Sequence, residues 1–326
     1  MNSAEYYFCC CAFSEAPIYL HAAVILFQDG SSELLPSAKI YRGNWGNFST
    51  IIIPNRESYS APLTLYISYY SVNEDTHYIN EINFEETGLT SKIDKFYQGS
   101  SNERRLIFGI APFGKIIIWS LDIEKQEIVY ISNSKRIEES SMGLTYDVKS
   151  IINYDSIKDK ISNHSKNYYD ILLKHYSYRY VIEFTNGNIL SNEYNLKKIY
   201  YTSFNGSFYR DDNLETKVNY SSKGLVSRLS LYFCKQKAEF IAHVFFDLPQ
   251  IVNVFNKFYG NHIDTKTDFI IRIDAENKKY ELALYRQGLK EPVVIPESAY
   301  QLIVFKNKFE DYRSENYNQP RGAWIW

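Results

Sequence analysis

The sequence is short of nearly everything that marks a chemical centre. It holds 2 Met and 6 His among 326 residues, and its 4 Cys are Cys9, Cys10, Cys11 and Cys234. Three adjacent cysteines cannot pair with one another without strain, and Cys-Cys-Cys is no zinc-finger spacing. The run reads instead as part of a strand, where cysteine behaves as a small buried hydrophobe. No Gly-x-Ser-x-Gly nucleophile elbow and no phosphate-cradling glycine loop occur, and Asn44-Trp45-Gly46-Asn47 is too weak a pattern to count as one. No segment approaches the ~20 apolar residues of a membrane-spanning helix. A net charge of −2 gives no basic field to attract nucleic acid or acidic lipid. The expectation is therefore no catalytic, cofactor or metal residue, no nucleic acid and no membrane span. The residues before Cys9 include Glu5 and no apolar core, which argues against a lipoprotein leader. Reduced thiols then suit the cytoplasm, or the periplasm for a chain that has lost a leader.

What the chain has is aromatic rings. Its 30 Tyr and 20 Phe favour strands, where a broad ring packs on a pleated surface, and the 45% apolar and 23% charged fractions are those of a folded protein. An aromatic binding surface is the sharper reading of the same excess, because Tyr is enriched at interfaces. The chain also repeats itself. Leu63-Thr64-Leu65-Tyr66-Ile67-Ser68 reads like Leu229-Ser230-Leu231-Tyr232-Phe233-Cys234, and His77 follows the first run at the distance at which His243 follows the second. Lys95-Phe96-Tyr97-Gln98-Gly99 answers Lys257-Phe258-Tyr259-Gly260. Ile40-Tyr41 with Trp45 and Gly46 answers Ile199-Tyr200 with Phe204 and Gly206. Matches in one order suggest two related halves of domain size.

Local patterns fill in the plan. Strands are expected at 6–13, 18–27, 40–45, 49–53, 63–72, 77–84 and 128–131. Leu89, Ile93, Phe96 and Tyr97 recur at helical spacing with Gly99 just beyond, a short amphipathic helix with a C-terminal glycine. Leu106 to Ile110 and Lys115 to Trp119 flank Ala111-Pro112-Phe113-Gly114, which predicts a hairpin closed by a type I turn. Val148, Ile151, Ile157, Ile161, Tyr168, Ile171 and Leu172 change to a helical period. The second half repeats strand pairs around a helix that Asp247-Leu248-Pro249 opens and Gly260 ends. The fold class expected is mainly β, with two related β-sandwich-like domains, each with one short helix. The first spans 1–146 and the second, divergent one 177–326, with a helical linker at 147–176.

The run Ile107-Phe108-Gly109-Ile110-Ala111-Pro112-Phe113-Gly114, followed by Lys115-Ile116-Ile117-Ile118-Trp119, resembles the signature hairpin of the bacterial family called domain of unknown function 2931. That signature runs Gly-Leu-Ala-Pro-Gly-Gly, then alternating Val or Ile, then Trp. Tyr7-Phe8, Ala16-Pro17-Ile18-Tyr19 and Asp29-Gly30 resemble the family's opening pattern, and the stretch from Asn167 to Tyr180 resembles its helix rich in Tyr and Arg. Phe113 stands where Gly is usual and Leu20 where Pro is usual, as in a divergent member. The resemblance implies no enzyme activity. It implies a setting among surface or periplasmic lipoproteins and immunity-like neighbours of secreted toxins.

Candidate residues are few. Trp45, in a loop-like setting, and Phe113, at the hairpin tip, are candidate partner-binding residues, as are Trp324 and Trp326, whose indoles should dock on the body or meet a partner. His77 and His243 read as structural histidines held by a backbone or Tyr partner, or as paired site residues. Glu85-Glu86, Glu138-Glu139 and Asp211-Asp212 read as solvated charges, since neighbours in a strand point to opposite faces. The function expected is that of a non-enzymatic, protein-binding protein of bacterial origin, an immunity or adaptor protein associated with a secreted effector. The alternatives are a glycan- or lipid-binding sandwich, and a hydrolase built on His77 or His243 with a distant carboxylate.

Overall fold

Alternation of large apolar side chains drives the architecture, and the computed structural model gives it in detail. Residues 4–43, 45–46, 59–99, 103–138, 148, 164–186, 189–211, 220–235, 238–274 and 279–306 are described. The chain is mainly β: among the described residues 60% are strand and 13% helix, in three open sheets. It divides into two compact units. Unit 1 takes residues 1–176, 202–210 and 222–226; unit 2 takes 177–201, 211–221 and 227–326. Each unit holds a sheet and a further run of strands.

Unit 1 begins with β1 (Glu5–Ala12), β2 (Ile18–Phe27), β3 (Ser32–Leu34), β4 (Lys39–Tyr41), β5 (Pro62–Ser71) and β6 (Thr76–Asn83). Helix α1 (Leu89–Phe96) follows, then β7 (Glu103–Ala111), β8 (Lys115–Leu121), β9 (Lys125–Asn133) and β10 (Lys135–Ile137). One sheet runs β10-β6-β5-β2-β3, with β4 also on β2. The other run is β1-β7-β8-β9, in which β1 and β7 are parallel. Parallel neighbours need a long crossover, and here the whole of β2 to α1 supplies it. Tyr6, Phe8, Cys10 and Ala12 alternate along β1 and share one core with Leu106, Phe108 and Ile110 of β7, Ile25 and Phe27 of β2, and Leu65, Ile67 and Tyr69 of β5. All three adjacent cysteines are buried, so both faces of β1 are covered there.

Helix α1 presents Leu89, Ile93 and Phe96 to that core, and Gly99 beyond it adopts a positive φ. Tyr97 explains the aromatic pair at its end. Its hydroxyl accepts from Arg105 N at 2.7 Å and lies 2.8 Å from both Arg105 O and Leu121 O, so it closes the end of the β7–β8 ladder. Helix α2 (Lys166–Leu173) lies in the segment expected to be helical and buries Tyr169, Leu172 and Leu173. Most of 147–163, and the strand expected at 49–53, lie outside the described residues.

The remaining strands are β11 (His175–Asn186), β12 (Ile189–Leu190), β13 (Tyr194–Ser203), β14 (Phe208–Asp211), β15 (Ser221–Gly224), β16 (Val226–Lys235) and β17 (Ala238–Phe246). Helix α3 (Leu248–Tyr259) comes next, then β18 (Thr267–Asp274), β19 (Lys279–Tyr285), β20 (Val293–Val294) and β21 (Tyr300–Lys306). In unit 2 one sheet runs β12-β11-β18-β19-β20, with β11 and β18 parallel. The other run is β13-β16-β17-β21. Asp247 caps α3 by accepting from Gln250 N, Pro249 sits in its first turn, and Ile251, Phe255, Phe258 and Tyr259 are buried. No helix among the described residues is long and apolar enough to cross a membrane.

Candidate functional site

The most developed side-chain constellation lies in unit 1, around the hairpin β7–β8. Its foundation is a close approach that only glycine permits. Trp119 on β8 packs against Gly109 on β7; a Cβ at position 109 would come within 2.3 Å of the indole. Trp119 is fully buried, and its Nε1 donates to Asn205 O at 3.1 Å. Gly46 and Gly206, both at positive φ, press backbone to backbone beside it. Gln126 Nε2 ties that contact together by donating to Gly46 O and, at 2.6 Å, to Gly206 O.

Trp45 is carried on this base. Its ring meets Trp119 edge-on at 5.0 Å and stacks on Phe13 at 3.8 Å. Phe13 lies 5.1 Å from Tyr169 of α2, and Tyr169 lies 6.1 Å from Phe113. Tyr168 and His164 extend the series, stacked on each other at 3.8 Å. The structure thus brings two candidate residues, Trp45 and Phe113, into one aromatic chain, and both are half-buried. Trp45 is not the freely exposed loop residue its setting suggested, because Gly46 closes on Gly206 and draws its indole against Phe13. Trp324 and Trp326 lie outside the described residues.

The tip of the hairpin corrects the expected turn. Phe113 has φ 62° and Gly114 φ 75°. A type I turn keeps its third residue at negative φ, whereas a type II turn needs a positive φ there and usually takes glycine. The side chain of Glu74, in the loop after β5, holds this conformation. It accepts from Phe113 N, from Ser71 Oγ and from Tyr78 Oη, each at 2.7 Å. Lys115, just past the tip, pairs with Asp170 of α2 at 2.5 Å.

The polar atoms of the cluster are unevenly satisfied. Trp45 Nε1 and Tyr169 Oη are buried with no protein partner among the described residues. Burial, and after it the charge of Glu15, pushes the Tyr169 phenol up, and the same causes push Tyr168 up to about 12. The cluster therefore offers ring faces, two neutral hydrogen-bond donors and a carboxylate already engaged. It holds no nucleophile with a base beside it.

The two histidines found by their matching spacing occupy different positions in their strand pairs. His77 faces Tyr70, near the β5–β6 turn, whereas His243 faces Ser230 in mid-strand. Strand β5 ends at Ser71 and β6 begins at Thr76, whereas β16 ends at Lys235 and β17 begins at Ala238, so equal chain spacing does not give equal register. His77 is buried and its Nδ1 lies 3.2 Å from His21 Nε2. Sequence reasoning missed His21; the signal was its place on a strand, with nothing to indicate the partner. Burial, and then the charge of His77, lowers the His21 imidazole to about 4. His243 Nδ1 lies 2.8 Å from Ser230 Oγ and 3.4 Å from Arg228. Burial first, then the Arg228 cation, lowers it to about 4. This Ser–His pair is a cross-strand contact inside a sheet, with a cation where a catalytic histidine would have a carboxylate.

Among the described residues, no three His, Cys, Asp or Glu side chains converge as a metal site. In unit 2, Leu231, Val244, Ile271, Leu282, Tyr300 and Leu302 line an apolar gap too narrow for a water molecule. Compared with family models, curated proteins and solved structures, the chain matches none.

Proposed function

We propose that this chain is a non-enzymatic protein-binding protein, of the immunity or adaptor kind, and that it engages its partner through the aromatic cluster at the β7–β8 tip. The observation that carries this reading is the unbroken ring series Trp45–Phe13–Tyr169–Phe113, with half-buried rings at both ends. Aromatic side chains give large contact area at small entropic cost. A residue that holds φ 62° against its own preference, where glycine would sit without strain, is a further argument that the ring of Phe113 is there for contact.

The test is affinity capture from extracts of the native cell, followed by reconstitution with the purified partner. Phe113→Gly removes a ring and relaxes the turn, so it should leave the chain folded; Trp45→Ala removes the other end. Each should weaken a purified complex by about tenfold or more, as loss of an interface aromatic does. A chain that retains no protein at micromolar concentration, or variants that bind as well as the parent, would overturn the proposal.

We further propose that the two units are divergent copies of one two-sheet module. In each, the first strand pairs in parallel with the strand after the helix (β1 with β7, β11 with β18), and an antiparallel pair precedes that helix (β5–β6, β16–β17). In each, a further antiparallel pair follows it (β7–β8, β18–β19). The core shared by β1, β7, β2 and β5 supports a face-to-face, sandwich-like arrangement in unit 1. The membership of the family of unknown function 2931 is proposed on the same hairpin. Its usual glycine at position 113 is what a positive φ asks for there.

A further inference from the structure

Among the described residues, every sheet edge but one is blunted. An edge strand presents a row of unpaired N–H and C=O groups, and folded proteins guard it by shortness, charge or cover. Strands β3, β4, β10, β12, β15 and β20 end their sheets with only two to four residues each. Strand β10 also carries Lys135 and Arg136. Strand β1 is longer, but Phe8 to Ala12 are buried and Ala4 bridges to Tyr59.

Strand β21 has none of these protections. It is 7 residues long and ends the run β13-β16-β17-β21, paired on one side only. Tyr300 to Phe305 include no charge, proline or glycine, and Ile303, Val304 and Phe305 favour strands. Register with β17 is continuous from Phe246–Tyr300 to Phe240–Lys306, with no bulge to twist the edge away. Burial falls off across a single strand. Val244, His243 and Ala242 of β17 are 1%, 3% and 0% exposed, whereas the residues they face, Leu302, Ile303 and Val304, are only half-buried. Leu302 lines the apolar gap with Leu231 and Ile271, so the interior of unit 2 runs out to this edge.

We propose that β21 is a self-association edge, on which a second copy of this chain lays its own β21 antiparallel across a two-fold axis. Charge at the strand ends selects this occupant and its direction. Glu297 lies just before the strand and Lys306 is its last residue. Antiparallel apposition sets the acidic start of each copy towards the basic end of the other; parallel apposition sets like beside like. With the strands in full overlap, Ile303 faces its own copy and Leu302 faces the partner's Val304, which carries the apolar interior across the join. A two-fold contact uses up both edges, so assembly closes at two copies.

The test is sedimentation of the full chain over a dilution series, with amide hydrogen exchange of β21 followed at each concentration. The mass should approach twice that of one chain and fall to one on dilution, and β21 amides should exchange faster as it falls. Ile303→Lys and Ile303→Glu each put like charges opposite one another at the axis, so each alone should associate about tenfold or more weakly. An equimolar mixture of the two should pair again. A one-chain mass at every concentration, β21 protection that ignores dilution (an edge covered by the chain itself), assembly beyond two copies, variants that pair like the parent, or a mixture no tighter than either variant would each overturn the proposal. The exchange measurement on the parent chain decides the matter even where a variant fails to fold.

Discussion

At the scale of single residues, the most constrained position is one with no side chain. Gly109 lies under the Trp119 indole, and a methyl group there would overlap two ring carbons at 2.3 Å. Neither partner can yield, since Trp119 is fully buried and held by Asn205. Gly109→Ala should therefore destabilise the chain by about 1–3 kcal/mol, the range for overpacking a filled core. Urea denaturation would measure it, and a midpoint equal to the parent's would mean that the indole can move aside. Phe113 is the opposite case, a side chain kept at a cost to its own backbone. Glu74 holds it there by accepting from Phe113 N, and Ser71 Oγ and Tyr78 Oη fix the carboxylate in turn. The glycine need at position 109 leaves no trace in a propensity scale, because it comes from a ring ten residues further along the chain.

At the scale of elements, the two helices that precede a parallel-paired strand start differently. Helix α3 has an Asp247 side chain accepting from Gln250 N at 3.1 Å, a cap plainly written in Asp247-Leu248-Pro249. Helix α1 follows Gly88 in a left-handed conformation, with no side-chain cap. Asp247→Ala should cost about 1 kcal/mol, the usual worth of such a cap. The loss should appear as faster amide hydrogen exchange in the first turn of α3; unchanged exchange there would show that tertiary packing alone holds the turn. The hairpins were legible because their flanking runs are strongly apolar. Register was not legible. The matching distances to His77 and His243 suggested equivalence, but the strand registers put one opposite Tyr70 and the other opposite Ser230.

At the scale of the whole molecule, stability depends on keeping buried histidines neutral. His243 titrates at about 4 in the folded chain, mainly through burial and secondly through Arg228, against the ordinary 6.5 once unfolded. As pH falls below 6.5 the unfolded chain takes up this proton first, so stability is lost progressively down to about pH 4. A shift of that size is worth on the order of a few kcal/mol. Burial lowers His21 and His175 as well, so the losses share one direction. Denaturation midpoints at neutral pH and at about pH 4.5 should differ clearly, and the difference should shrink in His243→Gln. A flat profile between those values would contradict the burial of neutral imidazoles.

The sequence by itself determined the mainly β class, the places of the principal hairpins and helices and the burial of the cysteine triplet. These follow from alternation, helical spacing, caps and turn residues, all of which act over a few positions. The tertiary structure decided which rings meet. Phe13, Tyr169 and Phe113 are far apart in the chain, and no local pattern links them. It also decided the turn at Phe113, through Glu74, and the His21–His77 contact, through one bulged residue. Each depends on strand register and loop length, which set distances across sheets, and those distances are fixed only when the whole core packs.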